Sequence, residues 1–428
     1  MKILSLTAGA ASMYCGSCLR DNALAGELRR MGHEVTLAPV YTPTKTDVAN
    51  ESESSPIVLF GGISVYLQQH FALWRKLPRI LDRILDSKWA LRAAARRSIS
   101  VAPKELGDMT VAMLEGENGP IAREFRKLEH WLHGVARPDI VNLPNTLLIA
   151  MARSIKHVFD GPVVCTLQGE DLFLEGLPEP YRGRAADLIR AQTEAVDGFI
   201  AISEGYARAM ARWLWIPESK MHVVPVGVRV EDFELSAPSG GEFRVGYLAR
   251  VAPEKGLLNL AQAWRAFRAR YAGPARLVVG GYRAPEHFEY LKQARALVPP
   301  NEWQDLGELD FAAKRAMLAS LDAFCVPAAY DDPKALYVLE ALASGVPVVA
   351  PDRGALGEHL RACGGGLLVP PDNLEALAEG LARLAADPGR AGLGRQGRAG
   401  VAALRHLRQM AERTQSVYES LLAAPRPP

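Results

Sequence analysis

Residues 330–360, YDDPKALYVLEALASGVPVVAPDRGALGEHL, decide how the rest of the chain is read. Pro333 follows Asp332, and its fixed φ predicts the first turn of a helix there. Leu336, Leu339 and Leu342 then recur at helical spacing as one apolar face, and Gly345 stands where that helix ends. VPVVAP reads as a buried strand, and DRGALGE as a small-residue loop beyond its C-terminal end. Two carboxylates, Asp332 and Glu340, flank the helix start eight positions apart. A helix start offers backbone N–H groups and positive dipole charge, which suit a phosphate. A carboxylate one or two turns in can accept hydrogen bonds from a ribose diol. The stretch therefore predicts a pocket for a nucleotide diphosphate, with Lys334, Ala335, Leu336 and Tyr337 at the helix end and Glu340 on the ribose.

Outward from this stretch the same strand–helix alternation recurs. KILSLTA, HEVTLAPV, RPDIVNLP, GPVVCTLQG, VDGFIAIS and MHVVPVGV read as strands before the Ser/Pro/Gly-rich ELSAPSGGEF, which reads as a linker. FRVGYLA, ARLVVGG, DAFCVPA and VPVVAPD follow it. The expectation is α/β, with two Rossmann-like doubly wound domains facing a cleft. The first spans 1–235, with a helical excursion at about 60–130, and the second spans 242–405. A C-terminal helix over 406–428 is expected to return to the first domain.

The 428 residues suffice for two cores, and the formal net charge of +2 points to no nucleic-acid partner. No run of eighteen apolar residues predicts a membrane span. The opening MKILSLTAGAAS has too short an apolar core for a secretory signal and reads as a buried first strand. Five cysteines without framework spacing predict a reducing, cytoplasmic setting. Within the excursion, HFALWRKLPRILDRILDSKWALRAAARRS at 70–98 sets eight basic residues against Asp82 and Asp86. It reads first as a solvated helical segment packing its apolar face on the sheet. The alternative is a basic surface meeting anionic lipid or acceptor, which leaves peripheral contact with the inner face of a membrane open.

These residues resemble the retaining glycosyltransferases of the two-domain GT-B fold, family 4 in particular. That family carries an E-x7-E pattern. Here Asp332 takes the first position, one methylene short, and Glu340 the second, within EALASGVPVV. GYLARVAPEKG is similar to the family's G-R-x4-K-G segment, which assigns Arg250 and Lys255 to the donor diphosphate. LVVGGY, with Gly281, and LGELD, with Leu309, resemble the segments that border the donor base. Gly16, in the loop after the first strand, would allow close backbone approach, and Arg20 or Asp21 could reach the acceptor. In TLQGED, Gln168 stands where the family often has His, with Asp171 following; these are the expected sugar or acceptor contacts.

The resemblance implies transfer of a hexose from a nucleotide-diphosphate sugar, UDP- or GDP-linked, to a hydroxyl of a glycan, lipid-linked or small-molecule acceptor. Arg250, Lys255 and the helix end would stabilise the charge growing on the leaving diphosphate, so neither metal nor other cofactor is expected. Asp332 would hold sugar hydroxyls. The alternatives are a nucleotide-sugar epimerase or hydrolase, and a nucleotide-binding relative without turnover. Cys15 and Cys18 read as residues of the loop before the first helix, ahead of a redox pair or half a metal site.

Overall fold

The computed structural model describes residues 1–9, 16–41, 46, 49–52, 103–134, 137–237 and 240–424. The chain divides into two compact units, Met1–Val224 with Ala411–Pro428, and Pro225–Met410. Cys15 and the basic stretch 70–98 lie outside the described residues.

In the first unit, β1 (Lys2–Thr7), β2 (Glu34–Pro39), β3 (Ile140–Leu143), β4 (Val163–Leu167), β5 (Gly198–Ala201) and β6 (Met221–Val223) form a six-stranded sheet ordered β2-β1-β3-β4-β5-β6. Every neighbouring pair is parallel. A parallel sheet is covered by helices on both faces, so its inner strands are apolar without alternation. β4, Val-Val-Cys-Thr-Leu, is buried at every position. The helix Gly16–Arg30 buries Leu24 and Leu28, one turn apart, and Gly32 follows it at φ 91°. The described part of the excursion forms the helices Pro103–Glu115 and Ala122–Gly134, the latter burying Phe125, Leu128 and Leu132 along one face.

The second unit carries β7 (Phe243–Leu248), β8 (Ala275–Gly280), β9 (Trp303–Gly307), β10 (Ala323–Phe324), β11 (Val348–Pro351) and β12 (Gly366–Val369) in the order β12-β11-β10-β7-β8-β9, again all parallel. Its core includes Trp264 and Phe267 of the helix Leu257–Arg270, both fully buried with ring centroids 5.0 Å apart. Strand order reverses between β1 and β3 in one sheet and between β7 and β10 in the other. At such a reversal the loops beyond the strands' carboxyl ends diverge and leave a crevice for ligands.

The units part at Val224/Pro225, ahead of the Ser/Pro/Gly stretch. The chain from 225 is tied into the second unit both ahead of that stretch and within it. Val228 N–H donates to the Arg405 carbonyl at 3.0 Å, Arg398 to the Phe233 carbonyl at 2.7 Å, and Ser236 N–H to the Ser344 carbonyl at 2.7 Å. The helix Leu407–Ala423 begins in the second unit, and from Ala411 its residues belong to the first.

Candidate active site

The second unit carries the residues expected at the donor, and they follow the carboxyl ends of its strands. After β7 the turn Pro253–Lys255 ends on Gly256 at φ 72°. A Cβ at Gly256 would stand 1.9 Å from the Pro327 carbonyl oxygen, so only glycine lets this turn lie against the segment leaving β10. Lys255 is thereby brought to Asp332. Its Nζ donates to Asp332 Oδ2 at 2.5 Å and to the Tyr330 hydroxyl at 2.7 Å, and lies 4.8 Å from the Tyr330 ring centroid.

Asp332 is buried and fully engaged. Oδ1 accepts from the backbone N–H groups of Lys334 at 3.1 Å and Ala335 at 3.2 Å; Oδ2 accepts from Lys255 and, at 2.8 Å, from the Tyr337 hydroxyl. Burial pushes this carboxyl up, but the Lys255 charge and these hydrogen bonds outweigh it and hold it well below the usual carboxylate range. Burial likewise pulls the Lys255 ammonium down, opposed by the Asp332 charge. Burial and the same carboxylate push the Tyr337 phenol up, which keeps its donating proton in place.

The helix begins later than the proline suggested. Pro333 lies in the preceding turn, Ala335 takes the left-handed conformation at φ 44°, and the helix runs Leu336–Ala343. The reason is Asp332, whose side chain caps the turn through two backbone N–H groups before any helical bond forms. DRGALGE is likewise more than a loop, because the helix Gly354–Cys363 starts inside it. Ala355 N–H donates to the Asp332 carbonyl at 2.8 Å, and His359 Nε2 lies 2.9 Å from the Lys334 carbonyl oxygen.

Arg250 is half exposed and ion-paired with Glu254. Gly281, at φ 136°, donates its N–H to the Gly307 carbonyl at 2.8 Å; a Cβ there would stand 1.8 Å from the Ala249 carbonyl oxygen. Leu309 follows β9, against Gly280. Glu340 pairs with Lys314 at 2.7 Å. The structure thus joins Lys255, Asp332, Tyr337 and the backbone of Lys334 and Ala335 in one bonded cluster. Arg250, Gly281 and Leu309 lie at the ends of the neighbouring strands, while the Glu340 carboxylate is committed to a lysine. Tyr330, Lys314 and His359 were missed by sequence reasoning; only the tertiary fold brings them to these partners.

In the first unit Gln168 is 2% exposed. Its Nε2 donates to Asp21 Oδ1 at 3.0 Å and to the Pro144 carbonyl at 2.9 Å, joining the ends of β3 and β4 to the helix Gly16–Arg30. Arg20, 4% exposed, donates through Nη1 to Asp21 at 3.1 Å, whereas its Nε and Nη2 have no hydrogen-bond partner among the described residues. Asp171 accepts from the Tyr206 hydroxyl at 2.9 Å, and the adjacent Glu170 accepts from Thr146 N–H at 3.0 Å. Glu170 and Tyr206 were not singled out in the sequence, where nothing in the spacing links them. Gly16 and Cys18, expected in the loop ahead of the first helix, instead lie in the helix Gly16–Arg30, whose first residue is Gly16 and within which Cys18 is buried. Among the described residues, side chains of metal-ligand type converge at Glu117, Glu129 and His157 on the first unit's surface, where His157 Nδ1 lies 3.1 Å from Glu129 and 3.5 Å from Glu117.

Residues 229–399 match the family model described as glycosyl transferases group 1, and residues 106–232 match that of glycosyltransferase family 4. The chain is 30% identical over 280 residues to a phosphatidyl-myo-inositol mannosyltransferase of Mycobacterium tuberculosis, covering 62% of this chain and 70% of that protein. It is 24% identical to a glycogen synthase of the same organism, covering 59% of this chain and 61% of that one. Among solved structures, the sucrose-phosphate synthase of Thermosynechococcus elongatus matches with a TM-score of 0.69 at 19% identity, over 99% of this chain and all of that one. Anabaena HepE in complex with UDP and glucose matches with a TM-score of 0.66 at 17% identity, with the same coverage. No described helix is long and apolar enough to cross a membrane. The chain belongs to the glycosyltransferases of group 1, family 4, built on the GT-B fold.

Proposed function

We propose that the chain moves a hexose from a UDP- or GDP-linked sugar to an acceptor hydroxyl, with retention at the anomeric carbon and without a metal ion. One observation carries this reading. Where strand order reverses between β7 and β10, Lys255 is bonded to Asp332 in the turn ahead of the helix Leu336–Ala343, and the Arg250 charge is felt at Lys255. The first N–H groups of a helix have no acceptor behind them, so Leu336 and Tyr337 can face a phosphate. Arg250 is tied to Glu254 by an exposed pair, a weak bond that a diphosphate can replace.

As the anomeric C–O bond breaks, the electron pair goes to the diphosphate, and these groups stabilise it. The acceptor oxygen bonds the anomeric carbon from the same face and passes its proton to the departing phosphate. Asp332 holds the helix start: its oxygens are occupied and it is buried, which speaks against a nucleophile on the far face of the ring. Arg20 and Asp171, with Gln168 behind them, are assigned to the acceptor side. The names of similar proteins suggest mannosyl and glucosyl nucleotides as first donors, and phosphatidyl-myo-inositol among the first acceptors.

The test is release of nucleotide diphosphate from a panel of UDP-, GDP- and ADP-sugars, with and without acceptors, in buffer and in EDTA. Acceptor-dependent release unchanged by EDTA, with a product of unchanged anomeric configuration by NMR, is the expected result. Release without acceptor would point to hydrolysis or epimerisation, and thermal stabilisation without release to a binder. Arg250→Ala and Lys255→Ala should each lower turnover by on the order of a hundredfold. If either leaves both affinity and turnover unchanged, the reading fails.

A further inference from the structure

We infer that His359 is a positioning residue for the donor site, a latch that holds the left-handed turn at Ala335 and so aims the start of the helix Leu336–Ala343 at the diphosphate. This rests on the proposed role of that helix start. Ala335 is the difficulty the latch answers. A residue with a Cβ in the left-handed region is strained, and glycine or asparagine usually takes such a position. Here alanine does, at φ 44°, and fully buried.

The turn is held from two directions. From inside, Asp332 accepts from the N–H groups of Lys334 and Ala335. From outside, the helix Gly354–Cys363 contributes two bonds to the carbonyls of the same turn. Ala355 N–H reaches the Asp332 carbonyl at 2.8 Å, and His359 Nε2 reaches the Lys334 carbonyl, the one immediately ahead of Ala335, at 2.9 Å. Gly354 makes this approach sterically permissible, since a Cβ there would stand 2.8 Å from the Asp332 backbone.

A carbonyl only accepts, so Nε2 carries the ring proton and donates it. His359 is 1% exposed, and its Nδ1 has no hydrogen-bond partner among the described residues. The ring is therefore held neutral in one tautomer, with its one hydrogen bond spent on this peptide. A buried histidine that neither reaches solvent nor titrates near neutrality is suited to holding geometry rather than carrying protons.

The test compares wild type, His359→Leu and His359→Gln, each also in an Ala335→Gly background. The readouts are amide hydrogen exchange over 332–338 and affinity for UDP and GDP. Losing one hydrogen bond should speed exchange there roughly five- to tenfold, and weaken nucleotide binding to a similar degree. Exchange in the helix Leu374–Ala386 should not change. Glutamine, which keeps a donor near the Nε2 position, should restore most of both readouts. Glycine at 335 relieves the strain, so the effect of His359→Leu should shrink below about twofold there. Should the leucine variant not fold, His359→Met, of similar bulk and without a donor, replaces it.

Unchanged exchange in the donor-less variant overturns the latch, as does an effect that glycine at 335 leaves undiminished. Faster exchange with unchanged nucleotide affinity overturns its service to the donor site. Failure of the wild-type protein to bind any nucleotide diphosphate would remove the functional reading and the donor half of the proposal. The exchange comparison would still decide whether His359 holds the turn.

Discussion

Asp332 shows how one carboxylate can serve several elements at once. It receives hydrogen bonds from Lys255, Tyr337 and two backbone N–H groups while 2% exposed. Its folded carboxyl lies below the unfolded one, so on acidification the unfolded chain takes up the proton first. The stability it contributes is complete above about pH 4, the unfolded value, and drains as pH falls below it toward the folded one. In urea unfolding, wild type and Asp332→Asn should therefore differ most near neutrality and converge in acid. His359 acts in a higher window. Burial pushes its imidazole down from 6.5 to about 4, against the hydrogen bond to the Lys334 carbonyl, which raises it; the Arg405 charge adds to the fall and the Asp332 charge opposes it. The unfolded chain gains a proton from about pH 6.5 downward while the folded ring stays neutral until about 4. Stability from the neutral ring is thus full above 6.5 and lost across that window. The unfolding midpoint of wild type should exceed that of His359→Gln by less at pH 5 than at pH 7.5.

At the scale of elements, glycines decide how closely strand ends approach the loops beside them. Gly256 packs against Pro327 and Gly281 against Ala249, both in backbone conformations open to glycine. Alanine at either site would combine positive-φ strain with a backbone clash. Gly256→Ala and Gly281→Ala should each cost more than about 2 kcal/mol in urea unfolding. Gly256→Ala should in addition weaken nucleotide binding, because it displaces the turn that carries Lys255. The two edge strands of the second sheet behave differently. β9 and β12 are only partly buried, and both escaped a reading based on continuous apolar runs. WQDLG and GLLV are short or mixed because one side of each strand has no neighbour to bury it.

For the whole molecule, the division into units follows hydrogen bonding rather than composition. The Ser/Pro/Gly-rich ELSAPSGGEF at 234–243 looks like a boundary, yet Ser236 and Ala237 donate to the carbonyls of Ser344 and Ala319 within the second unit. The tail also belongs to a unit distant in sequence. Tyr418 is 1% exposed, Gln415 Oε1 lies 3.2 Å from His33 Nε2, and a Cβ at Gly198 would stand 2.9 Å from Leu421. Removing residues 411–428 should lower the melting temperature and speed hydrogen exchange in β5 and the helix Gly16–Arg30. Exchange in β7 and β8 should be unaffected. Equal acceleration in both sheets would contradict the assignment of the tail to the first unit.

The sequence by itself determined the alternating α/β architecture and the inner strands. Buried parallel strands must be apolar throughout, and that pattern is local. It also placed Arg250, Lys255, Gly281 and Asp332 just beyond strand ends, because the loops between apolar runs are visible as breaks. Tertiary structure alone decided what those residues do to one another. Lys255 and Asp332, 77 positions apart, meet because the sheet sets β7 beside β10. The order of strands likewise commits Glu340 to Lys314 and brings His359 onto the turn before Ala335. Periodicity records which side of an element is buried, whereas the partner of a buried charge depends on which loops the sheet order makes neighbours.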